Sequence, residues 1–198
     1  MSRSIKPGAA MAAVLVAVLA AGIAVAGPSG AHGDDKAEWR AKGDGAAVTA
    51  TDARWAAMMI PHHLDGIAFA RMAQEKALTP GVREVAAQSE ADQRAELPYL
   101  RKVAAARGLE PMPPEEPLMR FNEQQMATLK SLTGTAFDRY WLDVFSAHHM
   151  SAIMMTDVAM AATKNGLVRR LEHRIHSGQL RQVDAMNDLR VRVPVPAQ

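Results

Sequence analysis

One register runs through this chain of 198 residues. Without a gap, residues 86 apart match: Asp52 with Asp138, Trp55 with Trp141, His62-His63 with His148-His149, and Ile67 with Ile153. The same offset pairs Ala73 with Ala159, Val82 with Val168, Arg83 with Arg169 and Gln93 with Gln179. A single offset that aligns two apolar stretches and the turn between them marks a duplicated helix–turn–helix hairpin. Such a unit cannot bury its apolar face alone, and two of them docked together form a four-helix bundle. The expected fold is therefore all-α, with two duplicated helical hairpins in one bundle.

Helical spacing sets the elements. Trp55, Met58, Met59, His62, Gly66, Phe69 and Ala73 share a periodic face from Asp52 onward, and Thr79-Pro80-Gly81 closes that helix. The second helix is expected from Val82 to Arg107, with a kink at Pro98. Four prolines between Gly108 and Pro117 mark the central connection. A short helix is expected from Met119 to Leu132, a long one from Phe137 to Thr163, and a last one from Val168 to Arg192. Asn165-Gly166 turns the second hairpin, and Pro194 and Pro196 end it. Pro61 bends the first helix just before its His pair; Ala147 stands at the equivalent place, so the helix is expected to continue through it. Asp52 and Asp138 precede apolar runs and read as helix N-caps.

The N-terminus belongs to export rather than to the fold. Arg3 and Lys6 precede an apolar run from Ala9 to Ala26 that ends in Ala24-Val25-Ala26. That is the layout of a secretory signal peptide over 1–26, cleaved before Gly27. Uncleaved, the run would serve as a membrane anchor. A flexible tether over 27–50, the bundle over 51–192 and a tail over 193–198 complete the organisation. The leader carries the formal charge of +2, which leaves the mature chain balanced. Nothing in that balance argues for nucleic acid or, after leader cleavage, for a membrane surface. There are no cysteines, so the fold has no disulfide and any soft metal site must be built from Met and His.

The chemistry-bearing residues gather around the two His pairs. His62, His63, His148 and His149 lie on apolar faces, with Met58, Met59, Met154 and Met155 within two turns. Thioether and neutral imidazole suit cuprous copper or silver, and both are uncharged. Adjacent histidines lie about 100° apart on a helix, so one ring of each pair is expected to ligate and the other to support it. On the second helices, Glu90-x-x-Gln93 matches His176-x-x-Gln179 and reads as a solvated face. His173 and His176, three apart, could hold a metal near the surface. Methionine at helical spacing is ordinarily core filler, and a lone histidine is ordinarily structural. The duplication of a His-His pair argues for a specific role.

Within residues 58–73, Met-Ile-Pro-His-His-Leu-Asp-Gly-Ile-Ala-Phe-Ala-Arg-Met-Ala resembles the signature of the domain-of-unknown-function 305 family. His148-His149-Met150-Ser151-Ala152-Ile153-Met154-Met155 looks like the same motif, as does the lead-in Phe137-Asp138-Arg139. The likeness spans Asp52 to Leu189. It implies a ferritin-like four-helix bundle, usually exported, with some members binding copper in metal resistance. The motif positions carried over are Met58, Met59, His62, His63, His148, His149, Met154 and Met155. The second copy departs from the motif: Val144, Phe145 and Ala147 replace the Met-Ile-Pro lead-in.

The leading expectation is an exported copper(I) or silver buffer or carrier, periplasmic or secreted, and not an enzyme. The alternative is a non-metal helical module that binds a partner protein at the cell surface. A di-iron enzyme would need Glu-x-x-His on facing inner helices, and none occurs on the two inner helices expected here.

Overall fold

The computed structural model describes residues 46–113 and 123–195. The expected signal peptide and most of the tether lie outside them. Five helices follow in order: α1 Ala50–Lys76, α2 Pro80–Ala105, α3 Glu123–Ser131, α4 Gly134–Ala162 and α5 Gly166–Arg192. Among the described residues there is no strand, and no helix is long and apolar enough to cross a membrane. Each long helix matches its expected place to within a few residues, and α1 runs unbroken through Pro61.

Local chemistry fixes the ends. Thr49 caps α1 by accepting from Asp52 N, while the Asp52 carboxylate accepts from Thr49 N, a reciprocal capping box. Asp52 is thus the third residue of the helix and not its cap. Pro80 opens α2, where its missing N–H costs nothing. Gly108, at φ 66°, takes the left-handed conformation past the end of α2, and Leu109 N returns to Ala104 O. The Asn165 side chain caps α5 by accepting from Leu167 N and Val168 N. Asp138, expected as a cap, lies inside α4. Its two oxygens accept from Leu78 N at 3.0 Å and Thr79 N at 2.8 Å, so it holds the turn of the other hairpin.

In the bundle α1 packs on α2 and α4, α5 packs on α4 and α2, and short α3 lies against α4. Contacts repeat with the sequence offset. Trp55 Nε1 donates to Thr156 Oγ1, and Trp141 Nε1 donates to Phe69 O, one residue from the equivalent point. Arg83 donates to Ala77 O, and Arg169 donates to the equivalent Thr163 O. These reciprocal contacts run α1 and α4 antiparallel across an approximate two-fold axis.

The apolar core falls into two blocks. One gathers Phe69, Leu129, Phe137, Trp141, Phe145 and Met186. The other gathers Trp55, Met59, Ile60, Leu100, Met155 and Leu171. Between the blocks lies a buried polar layer that contains all four paired histidines with Ser89, Gln93, Glu96, Ser151, Gln179 and Gln182. Core positions of a bundle are ordinarily apolar, and a buried polar layer must be hydrogen-bonded or hold something.

Candidate metal centre

His62 and His148 meet at the two-fold axis. Their rings stack with centroids 3.7 Å apart and planes inclined by 20°. Both rings are buried. Burial first, and the neighbouring histidines second, hold both well below the usual imidazole range. They are neutral rings, as stacking at this distance requires.

The hydrogen bonds fix which nitrogen carries the proton. Ser151 Oγ donates to His148 O, so it accepts from His62 Nε2–H at 2.8 Å. His148 Nε2–H donates to His62 O at 3.0 Å. His63 Nε2–H donates to the buried Glu96 carboxylate at 2.8 Å. The rings of His62 and His63 therefore turn Nδ1 away from the acceptor. The Nδ1 atoms of His62 and His63 are buried and have no hydrogen-bond partner. An imidazole whose N–H is held by a carbonyl, hydroxyl or carboxylate, with its other nitrogen bare, is how metal-ligating histidines are set up.

His149 differs. Nδ1 faces Phe145 O at 3.0 Å and Nε2 faces Gln182 Oε1 at 2.6 Å, so both nitrogens point at acceptors. Burial nevertheless brings its pKa down to about 4, with those two hydrogen bonds opposing. Ser89 joins this side, donating to Gln182 Oε1 and accepting from Gln93 Nε2. Gln182 Nε2 in turn donates to Asp92. His149 is thus tied into the scaffold through both nitrogens.

Glu96 and Gln182 are the supports that sequence reasoning missed. They stand 86 residues apart and hold His63 and His149 in turn. The expected pair does otherwise. Glu90 sits near the surface and accepts from Arg71, Gln74 and Arg94. Gln93 and Gln179 are buried, not solvated, and Gln93 Oε1 and both polar atoms of the Gln179 side chain have no partner. His176 pairs with Asp157 at 3.0 Å, and His173 is exposed.

The methionines divide. Met59 and Met155 are buried in the Trp55 block, with Met58 packed against it. Met154 is turned outward and 55% exposed, apart from the histidines. At the positions equivalent to Met59 and Met155 stand Phe145 and Phe69, in the other block. Met59 and Met155 therefore lie on one side of the histidine layer, and their equivalents Phe145 and Phe69 on the other. Among the described residues no three His, Asp or Glu side chains converge as a ligand set.

Gly66 lets the layer close. A Cβ there would meet Gln93 Oε1, and would lie 2.7 Å from His148 Cε1 and 2.9 Å from Gln93 Nε2.

A family model, the domain of unknown function DUF305, matches residues 31–104 and 52–190. The chain belongs to the DUF305 family. Family members of known structure share the fold. A DUF305 fragment from Deinococcus radiodurans is 23% identical with a TM-score of 0.67, covering 74% of this chain and 99% of that one. A DUF305 protein from Streptomyces coelicolor, named a candidate secreted protein, is 17% identical with a TM-score of 0.66, covering 75% and 98%. CopM in its Cu(I)-bound form is 23% identical with a TM-score of 0.62, covering 73% and 98%. CopM structures bound to Cu(II) and to silver are similarly alike, each 24% identical over 71% of this chain and 96% of that one, with TM-scores of 0.63 and 0.61. No curated protein matches the chain.

Proposed function

We propose that the protein is an exported binder of soft monovalent metal, a buffer or carrier for copper(I) or silver, with the histidine layer as its site. The observation that carries this reading is the bare, buried Nδ1 of His62 and of His63, each with its Nε2–H already held. An unpaired polar atom in a dry core costs about 1–3 kcal/mol, which a bound cation would offset. Desolvation keeps His62 and His148 neutral and ready to ligate at neutral pH.

Two features favour a soft ion. Met59 and Met155 bring thioethers to the same side of the layer, and no thiolate is available for zinc. The metal-bound CopM structures, which share this fold, are consistent with the same cargo. The stack of His62 on His148 would have to open for both Nδ1 atoms to reach one ion. His62, His63, His148, Met59 and Met155 are the proposed ligand set, with Met58 beside it. His149 supports the layer, and Met154 stands outside it. Export rests on the leader reading of residues 1–26 and on the candidate secreted relative. The same reading makes the protein a binder rather than an enzyme.

The test is titration of the mature protein with Cu(I), Ag(I), Cu(II) and Zn(II) against competing chelators. Cu(I) and Ag(I) should bind most tightly. Zinc bound as tightly as Cu(I) would overturn the reading.

One observation favours a second function. Met150, Met154 and Val158 recur four apart on α4 and are 41%, 55% and 72% exposed. That apolar stripe is where a partner protein would dock if the histidine layer were structural alone.

A further inference from the structure

A groove of about 500 Å³ lies between α1 and α2. Half-exposed Leu64 with buried Ile67 and Leu97 gives it an apolar lining. Arg71, Arg94 and Arg101 line it too, and no acidic side chain does. The arginines belong to this hairpin alone. At the equivalent positions of the second hairpin stand Asp157, Leu180 and Asn187. The apolar residues keep apolar equivalents, Met150, Ile153 and Val183. The lining follows the repeat, and the charge does not.

Glu90 fixes one end of the groove. Its Oε1 accepts from Arg71 Nε at 2.8 Å and from Arg94 Nε at 2.7 Å, and its Oε2 accepts from Gln74 Nε2. One carboxylate against two guanidiniums leaves one positive charge in excess. The two arginine side chains are 58% and 47% exposed, and each meets Glu90 through Nε, which leaves the Nη groups to an incoming anion. Arg101 is exposed and, among the described residues, has no hydrogen bond or ion pair. The helices run antiparallel, with Glu90 across from Arg71 and Glu96 across from His63. Arg101 therefore stands at the Leu64 end, away from the pair held by Glu90. Eleven helical residues separate Glu90 from Arg101, roughly 16 Å along α2. The groove is cationic at both ends and apolar between them.

We propose that this groove binds an extended acidic peptide of a partner protein, with carboxylates at positions i and i+4 and an apolar side chain at i+2. Alternate residues of an extended chain face the same way, so these three side chains share one face. Four steps of extended chain cover about 13 Å, and the acidic and arginine side chains span the rest. Arg101 takes one carboxylate, the Arg71–Arg94 pair takes the other, and the apolar side chain rests on Ile67 and Leu97. Arginine suits this task, because its planar fork meets a carboxylate through two parallel hydrogen bonds.

The test is fluorescence anisotropy of a labelled peptide carrying Glu-Ser-Leu-Ser-Glu, titrated with the full chain. The wild type should bind it, less tightly as salt rises. Arg101→Glu, at an exposed position, should leave the circular dichroism unchanged and weaken binding at least about tenfold. R101E should also bind one of the two peptides with a single Glu exchanged for Lys better than the wild type does. Exchange of the central Leu for Ser should weaken binding to the wild type. Equal binding of the peptide by wild type and R101E overturns the proposal, as does equal binding of a Ser-Glu-Glu-Leu-Ser peptide, which lacks the spacing. Two other outcomes overturn it when the peptide does not bind. Phosphatidylglycerol vesicles bound by the wild type and not by R101E would give the groove to a lipid surface. A dimer of the wild type that R101E dissociates would give it to a second copy of the chain.

Discussion

Two glycines inside helices give opposite expectations for the same substitution. Alanine in a helix interior is favoured over glycine by about 1 kcal/mol. At Gly178 on α5 an added Cβ has nothing closer than Arg181 Nη2 at 3.9 Å, so Gly178→Ala should realise that gain. At Gly66 on α1 the Cβ falls against the Gln93 amide and 2.7 Å from the His148 ring. The amide is the end of a flexible side chain and can yield. The ring cannot yield easily, because it is stacked on His62 at 3.7 Å and bonded to His62 O. Overpacking of this kind costs about 1–3 kcal/mol and outweighs the propensity gain by up to about 2 kcal/mol. For a domain of this size 1 kcal/mol is about 2–4 °C in Tm. The assay is thermal unfolding of metal-free protein by circular dichroism. Gly178→Ala should raise Tm by a few degrees, and Gly66→Ala should lower it or leave it unmoved. A Tm of Gly66→Ala raised as far as that of Gly178→Ala would refute the close packing of Gly66 against the histidine layer.

The other predictions concern charge and hydrogen bonding. His149 is neutral in the fold down to about 4 and titrates near 6.5 unfolded, so about 3 kcal/mol of stability is lost as pH falls from 6.5 to 4. His62 and His148, also lowered, steepen that acid limb. Glu172 is raised from 4.5 to about 8, so its protonated form is favoured in the fold and stability declines as pH rises between those values, by up to about 5 kcal/mol. Urea unfolding of metal-free protein should therefore show maximal stability near pH 6.5, where the histidine limb ends. E172Q should flatten the alkaline limb, and an unchanged limb would show that Glu172 does not cause it. Glu96→Gln removes the carboxylate that holds His63 and should lower Cu(I) affinity about 10–100-fold in chelator competition. Asp138→Ala leaves Leu78 N and Thr79 N without their acceptor and should cost about 2–4 kcal/mol in urea unfolding.

The bundle was legible because the 86-residue register, the apolar period and the Gly/Pro turns all pointed the same way. The cap of α1 was also written in the sequence: Thr49-x-x-Asp52 is a capping-box pattern, which reading Asp52 as the cap concealed. Met154 lies six residues from His148, which turns it about 120° off that face, so its exposure follows from helix geometry. Glu96 and Gln182 obey the repeat offset but differ in charge, and a match by identity passes over them. The role of Asp138 could not be read, since its partners are backbone amides about sixty residues away that carry no side-chain signal. Glu172 stands in Arg169-Arg170-Leu171-Glu172-His173-Arg174, a stretch that reads as a solvated face. Its burial comes from packing between helices, which local polarity does not report.

The central claim is that the two His pairs from separate hairpins serve one soft-metal site at the His62–His148 contact. The direct measurement is Cu(I) titration against a competing chelator for wild type, His62→Ala, His148→Ala and the double variant. A shared site predicts that each single change weakens binding and that the two losses do not add, because either change already breaks the site. Unchanged Cu(I) affinity in the double variant would contradict the claim and leave the histidine layer as packing alone.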